Sequence, residues 1–76
     1  MHKIGEELKY QREINNLSQT ALAKKTGIKQ QSISLWEKDL RAPNIYACMI
    51  LADFYGITLD ELVGRDKGSL PTEKQK

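Results

Sequence analysis

The chain has 76 residues, enough for one small domain but with little room for an enzyme's pocket and lid. Hydrophobic residues make up 39% and charged residues 29%, which suits a small folded globule, and the net charge is only +2. One cysteine and one histidine exclude an internal disulfide and a zinc site within one chain, and no apolar run approaches the ~20 residues of a membrane span.

The periodicity of apolar residues is helical throughout, and no segment alternates long enough to predict a strand. We expect five short helices, at about 3–15, 19–26, 30–38, 45–55 and 59–63. Residues suited to begin a helix precede three of them, namely Ser18, Asn44 and Thr58. Residues that tolerate the left-handed conformation end four of them, namely Asn15-Asn16, Gly27, Gly56 and Gly64.

The helical pattern also predicts which side chains form the core. The residues expected to face inward are Ile4, Leu8 and Ile14 in the first helix, Leu22 and Ala23 in the second and Ile33 in the third. Cys48 is not expected to be a reactive thiol, because no cationic neighbour is evident in the sequence.

Short helices with short connections predict an all-α fold, a compact orthogonal bundle of five helices. The second and third helices, joined by a tight turn at Gly27, match a helix-turn-helix unit, although any small α-domain can contain such a corner. We expect one domain at 1–63, followed by a polar tail or the start of a linker at 64–76.

The small net charge is unevenly distributed. Residues 1–41 carry eight basic and five acidic side chains, a net +3, whereas residues 42–64 carry three acidic and no basic ones. The basic end is therefore the plausible surface for phosphate, and the acidic end is not.

Residues 4–63 resemble the Xre family of helix-turn-helix regulators, of the phage repressor and Cro type. The matching string is Ile4-Gly5, Leu8, Arg12, Leu17-Ser18-Gln19, Leu22-Ala23, Thr26-Gly27-Ile28, Ser32-Ile33-Ser34, Trp36-Glu37, Arg41, Pro43, Leu51-Ala52, Gly56-Ile57 and Leu59-Asp60-Glu61-Leu62. The resemblance implies a lambda-repressor-like DNA-binding domain that binds double-stranded DNA, usually as a dimer on a palindromic operator.

The third helix is expected to read base edges in the major groove. With Ile33 at the centre of its buried face, the opposite face carries amide, hydroxyl and amine groups and one leucine. The candidate base-contacting residues are Gln30, Gln31, Ser34 and Leu35. Gln bonds adenine and an apolar side chain covers a thymine methyl, so A·T contacts are favoured. The alternative is a merely solvated polar face, which would not explain an exposed leucine.

Other residues are expected to hold the phosphates, namely Gln19, Lys29, Ser32, Lys38 and Arg41. Gln19 opens the second helix, where free N–H groups favour an anion, and the resemblance implies that this position contacts the backbone. Lys29 stands where the family usually has a Ser or Thr cap; a DNA phosphate would offset its unfavourable place beside a helix N-terminus. Lys24 and Lys25 are expected to be solvated charges.

Two positions are expected to shape the domain without contacting DNA. Glu37 faces inward on the helical wheel, and an unpaired buried carboxylate is costly, so Arg12 is its natural partner. The resemblance implies the same structural ion pair. Asp39 replaces a common glycine, which leaves the placement of the loop that carries Arg41 open.

The fourth helix is apolar on all sides. The resemblance implies that one face lies in the core, with Cys48 as a small core residue; this face is Ile45, Cys48, Leu51, Ala52 and Tyr55. A second apolar face must then be covered. The candidate dimer interface is Tyr46, Met49, Ile50 and Phe54. A symmetric dimer through this face would present two third helices to half-sites about one turn, ~34 Å, apart. The alternative is that the fifth helix or the tail covers the face within one chain.

The expected function is therefore a sequence-specific DNA-binding transcriptional regulator, a repressor, working in the cytoplasm at the nucleoid of a prokaryote or phage-infected cell. The second hypothesis is an antitoxin-like or adaptor protein that binds a partner protein through the fourth helix and DNA for autoregulation. An enzyme is not expected, because no catalytic, metal or phosphate-loop constellation exists in the sequence. No cofactor, metal, membrane or small-molecule ligand is expected either.

Overall fold

The computed structural model describes residues 3–65, and the regular structure of this part is entirely helical. The helices are α1 (Ile4–Ile14), α2 (Gln19–Thr26), α3 (Gln30–Glu37), α4 (Ile45–Tyr55) and α5 (Leu59–Val63). The predicted all-α bundle is confirmed, and each boundary lies within one residue of its expected place. Of the expected tail at 64–76, residues 66–76 lie outside the described part.

Side-chain caps begin three of the helices. Ser18, Asn44 and Thr58 each accept a hydrogen bond from the backbone N–H three residues on, at 2.8–3.0 Å. At α5 the Glu61 carboxylate also accepts from the backbone N–H of Thr58, which completes a capping box. These local bonds explain why a helix of only five residues forms where the sequence predicts it.

Residues in the left-handed backbone conformation lie at the ends of the helices. Besides the glycines, Asn16 and Asp39 have positive φ, each at 59°. Asn16 is the predicted end of α1, and Asn adopts this conformation with little strain. Asp39 also adopts this conformation, directly after α3, at the position where the resemblance described above implies a glycine as the common residue.

The five helices share one core. α1 packs against α3 and α5, α2 packs against α3 and α4, and α4 packs against α5. The core consists of Leu8, Leu22, Ile33, Trp36, Ala47, Cys48, Leu51, Ala52 and Leu62. Leu62 is fully buried, so the shortest helix closes the core. Among residues 3–65 no helix has both the length and the apolar character that crossing a bilayer requires.

Two of the residues expected to face inward do not. Ile14 is 53% exposed because it lies six residues after Leu8, about 240° around the helix. The buried positions of α1 are instead at the helical spacing from Leu8, at Gln11 and Arg12. Ile45 is 56% exposed because it is the first residue of α4 and helical side chains tilt toward the N-terminus, past the start of the helix.

Cys48 is buried in the core, as expected for a small apolar residue. Burial raises the pKa of its thiol, because desolvation penalises the thiolate. The thiol therefore stays protonated at neutral pH and packs as an apolar group.

Candidate nucleic-acid interface

Helices α2 and α3 pack against each other across the turn at 27–29. Gly27 has φ 80°, and this reversal is stabilised by Thr26, whose Oγ1 donates to the carbonyl of Leu22 at 2.8 Å and accepts from the N–H of Ile28 at 3.2 Å. The two short helices and their three-residue turn have the geometry of a helix-turn-helix.

Helix α3 has one buried and one open face. Ile33 and Trp36 point into the core. The four residues expected to contact bases come together on the other side, where they line an open depression of about 360 Å³; they are Gln30, Gln31, Ser34 and Leu35. The two glutamines are exposed, whereas Ser34 is partly buried and Leu35, expected to be exposed, is also partly buried.

Arg12 and Glu37 lie in contact between α1 and the end of α3. Arg12 Nε is 2.7 Å from Glu37 Oε2 and Nη2 is 2.9 Å from Oε1. Arg12 Nη1 also donates to the carbonyl of Leu17 at 2.7 Å. The two side chains are only 10% and 5% exposed. The hydrogen bond to Glu37 raises the pKa of the Arg12 guanidinium, which therefore stays charged in the interior.

Gln19 joins this ion pair to the open face of α3, a contact that the sequence reasoning missed. Its Nε2 donates to Glu37 Oε1 at 3.0 Å, and its Oε1 accepts from Gln30 Nε2 at 3.3 Å. A buried carboxylate with oxygen lone pairs left over by Arg12 was the signal that could have predicted the first bond. The side chain at the start of α3 is thus connected to the buried ion pair through one glutamine.

Basic side chains lie at both ends of α3. Lys29 is its N-cap residue and makes no capping hydrogen bond, and Lys38 is its C-cap residue. Within residues 3–65 the ammonium groups of Lys29 and Lys38 and the guanidinium of Arg41 are exposed and make no ion pair. Ser32 is partly buried in the first turn of α3. Lys24 and Lys25 are exposed in the last turn of α2, where cations are favourable.

Comparison with protein families matches residues 8–62 to the family described as helix-turn-helix. The chain belongs to the Xre-type helix-turn-helix family. An uncharacterised HTH-type transcriptional regulator of Methanocaldococcus jannaschii is 36% identical over 55 residues, which cover 72% of this chain and 83% of that protein. The HTH-type transcriptional regulator ImmR of Bacillus subtilis is 30% identical over 70 residues. No solved structure matches the chain significantly.

The two relatives differ in how much of them this Xre-type chain covers. The match to ImmR takes in 92% of the chain but only 55% of ImmR, so the chain spans about half the length of that relative. Membership of the Xre-type family makes the chain a DNA-binding transcriptional regulator by class, and this is not a class of enzymes. In the described part no three His, Cys, Asp or Glu side chains are grouped as metal ligands.

At position 39 this Xre-type chain carries aspartate, and the structure gives that residue a contact that the sequence did not predict. Asp39 Oδ1 accepts a hydrogen bond from the backbone N–H of Gly5 at 3.0 Å. A Cβ on Gly5 would lie 2.6 Å from the carbonyl oxygens of Trp36 and Glu37, so only glycine permits this approach. The N-terminus of α1 therefore meets the C-terminal end of α3 backbone to backbone.

Helix α4 carries an exposed apolar face, formed by the four residues expected there: Tyr46, Met49, Ile50 and Phe54. Tyr46 is 72% exposed, and the ring of Phe54 packs edge to face with that of Tyr55 at 5.2 Å between centroids. Ile45 and Leu59 add to the exposed apolar surface. The face is left uncovered by the described residues of this chain.

Proposed function

We propose that this protein is a sequence-specific transcriptional regulator, a repressor, that reads the major groove of double-stranded DNA with α3. The observation that carries the proposal is the composition of that helix's open face. Groups that bond base edges lie on it, while unpaired cations lie at its two ends. Steady occupation of an operator by such a domain would block transcription there, at the nucleoid in the cytoplasm.

Base readout is assigned to Gln30, Gln31, Ser34 and Leu35. Gln30 and Gln31 begin the helix, where a recognition helix approaches base edges first. A glutamine amide can bond adenine N6 and N7 together, and the Leu35 side chain can cover a thymine methyl group. These chemistries favour A·T pairs at the contacted positions of the operator.

Phosphate contact is assigned to Gln19, Lys29, Ser32, Lys38 and Arg41. Gln19 is the first residue of α2, so free backbone N–H groups and the positive end of the helix dipole lie beside it. Its side chain also bonds Gln30, which couples a phosphate contact to a base contact. The cations are free of ion pairs within the described residues, so no internal partner must be given up on binding.

The protein is proposed to act as a homodimer through α4. The exposed apolar side chains follow one another at helical spacing, and contiguous patches of this kind mark interfaces. A twofold axis through this face would give a palindromic operator with half-sites about one turn, ~34 Å, apart. No cofactor, membrane or small-molecule ligand enters the proposal.

A second function is favoured by the same α4 face. An antitoxin-like or adaptor protein would use Tyr46, Met49, Ile50 and Phe54 to bind a different protein, and its DNA binding would serve autoregulation. The two functions differ in what the purified protein does alone. A repressor dimerises by itself, whereas an adaptor stays monomeric until its partner is present.

Selection from a pool of random duplex DNA tests the proposed function. The expected result is an enriched palindrome with A·T pairs in each half-site and strong discrimination against a scrambled duplex. The dissociation constant should rise steeply with salt, because bound phosphates release counterions. An enriched pool without any shared motif, together with equal affinity for scrambled DNA, would contradict sequence-specific reading.

A further inference from the structure

We infer that Asp39 is a positioning residue for DNA binding, which holds the exit loop (residues 38–41) so that Arg41 meets a phosphate. The inference rests on the proposed function, since it concerns the orientation of one phosphate contact. Asp39 is an acidic residue that lies among basic residues. On charge alone, Asp39 would be expected to weaken DNA binding.

The backbone of the exit loop is fixed by the left-handed conformation of Asp39. The N–H of Leu40 bonds the carbonyl of Leu35 at 3.0 Å, and the N–H of Asp39 bonds that of Trp36 at 3.1 Å. The N–H of Arg41 also approaches the Leu35 carbonyl, at 3.4 Å. The bonds from the N–H groups of Leu40 and Asp39 form a Schellman motif, which sets the direction in which the chain leaves α3.

The side chain of Asp39 ties the same loop to α1. Lys3, the N-cap residue of α1, makes no side-chain cap, and Asp39 Oδ1 bonds the N–H of Gly5 in its place. The carboxylate thus lies at the positive end of the α1 dipole, which stabilises its charge. The exit loop is held at two points, by its own Schellman motif and by the first turn of another helix.

The tie leaves the guanidinium of Arg41 available. Asp39 and Arg41 both line a pocket of about 120 Å³ beside Ile4 and Pro43, yet they form no ion pair within the described residues. The carboxylate bonds the Gly5 amide instead of Arg41. A glycine at position 39 would keep the left-handed backbone and remove a negative charge, but it would lose the tie to α1.

An effect of charge alone and a positioning of Arg41 by Asp39 predict opposite changes in DNA affinity for Asp39→Gly. If charge alone mattered, the variant would bind the selected operator more tightly than the wild type does. If Asp39 positions Arg41, the variant should bind about tenfold more weakly at 0.1 M salt, which is the effect of losing one phosphate contact. Asp39→Asn keeps an oxygen acceptor and tolerates positive φ, so it should retain wild-type affinity or exceed it.

The decisive experiment is a double-mutant cycle with Arg41→Ala, measured as operator affinity over a salt series with folding checked by circular dichroism. Arg41→Ala should cost about tenfold in the wild type and in Asp39→Asn, but less than about twofold in Asp39→Gly. The slope of log Kd against log salt should fall by about one in Asp39→Gly, a change that a smaller folded fraction would not produce.

Two results would overturn the inference. One is an equal cost of Arg41→Ala in all three backgrounds, and the other is an Asp39→Gly variant that binds as tightly as the wild type. Either could occur while the wild type still reads its operator, so the proposed function would survive. A wild-type protein that binds no duplex DNA would contradict both.

Discussion

Arg12 of α1 and Glu37 of α3 form a two-point ion pair, in which Nε lies 2.7 Å from Oε2 and Nη2 lies 2.9 Å from Oε1. The same carboxylate accepts a third hydrogen bond from Gln19 of α2. Three helices therefore converge on one buried side chain. Arg12 compensates the negative charge of Glu37, and hydrogen-bond donors from two helices satisfy its oxygen lone pairs. Both conditions must be met for a charge to be tolerated in the interior.

We expect Glu37→Gln to lower the free energy of unfolding by about 3 kcal/mol. The amide would leave the Arg12 charge without its counterion, and its NH₂ group would face a donor from Arg12 or Gln19. Urea unfolding measures the loss. The matched control is Asp60→Asn, which removes the exposed partner of Arg65, at 3.6 Å, and should cost less than about 1 kcal/mol. Equal stability of Glu37→Gln and wild type would contradict a structural ion pair.

Gly5→Ala should destabilise the domain although alanine favours helices. The added Cβ would lie 2.6 Å from two backbone carbonyl oxygens of α3, and backbone cannot move aside as a flexible side chain can. We expect a loss of about 1–3 kcal/mol in thermal or urea unfolding. Lys9→Ala, at an exposed position of the same helix, is the control and should be nearly neutral. A Gly5→Ala variant as stable as this control would show that α1 and α3 can separate without cost.

Gln31→Ala and Lys29→Ala should affect DNA binding in different ways. Gln31→Ala would remove the proposed base contact, so it should reduce discrimination at one base pair by about 1–3 kcal/mol. Lys29→Ala would remove the proposed phosphate contact, so it should weaken binding to all duplexes alike and reduce the slope of log Kd against log salt by about one. Affinities for the selected operator and its single-base variants measure both effects. A uniform loss from Gln31→Ala would refute its assignment to base readout.

Tyr55 should make the domain less stable at alkaline pH. Burial raises the pKa of Tyr55 to about 12, whereas a tyrosine in the unfolded chain ionises near pH 10. The folded state keeps its proton between these values while the unfolded state loses it. The contribution is therefore present below pH ~10 and is lost as the pH rises toward ~12.

Tyr55→Phe isolates this effect from the other groups that titrate in the same range. Its free energy of unfolding should fall less than that of the wild type between pH ~10 and ~12. At neutral pH it should be at least as stable, because the Tyr55 hydroxyl is buried without a hydrogen-bond partner among the described residues. Parallel stability curves for the two proteins would contradict the raised pKa.

Ile50→Glu should convert the proposed dimer into a monomer. Ile50 is exposed, so the folded monomer can accept a glutamate there, but a twofold interface would bury two of them together. Sedimentation equilibrium at high micromolar protein, without DNA, measures the mass. The control is Leu40→Glu, at an apolar residue that is 68% exposed but lies outside α4, and it should leave the mass unchanged. A monomeric wild type would remove the support for the dimer.

Much of this fold could be predicted because its signals are local. Ser18, Asn44 and Thr58 cap helices through residues three positions away, so the information lies within one turn of chain. The composition of the core was harder to predict from the sequence. Ile14, expected to face inward, does not follow the helical spacing set by Leu8, and the side chain of Ile45, in the first turn of α4, extends past the start of that helix.

The candidate site was predictable in part for the same reason. The helical wheel places Gln31 and Leu35 opposite Ile33 whatever the rest of the chain does. The bond of Gln19 to Glu37 and that of Asp39 to Gly5 join residues 18 and 34 positions apart. Such bonds depend on how the helices pack, and helical spacing contains no information about them.

The division of α3 into two faces has a consequence for how this protein can change. Ile33, Trp36 and Glu37 hold the domain together, whereas Gln30, Gln31 and Ser34 line the open face. Substitutions on the open face should therefore alter the preferred operator with little loss of stability. A new target sequence is then reachable through single steps that each leave a folded protein, and the same positions can be randomised to engineer one.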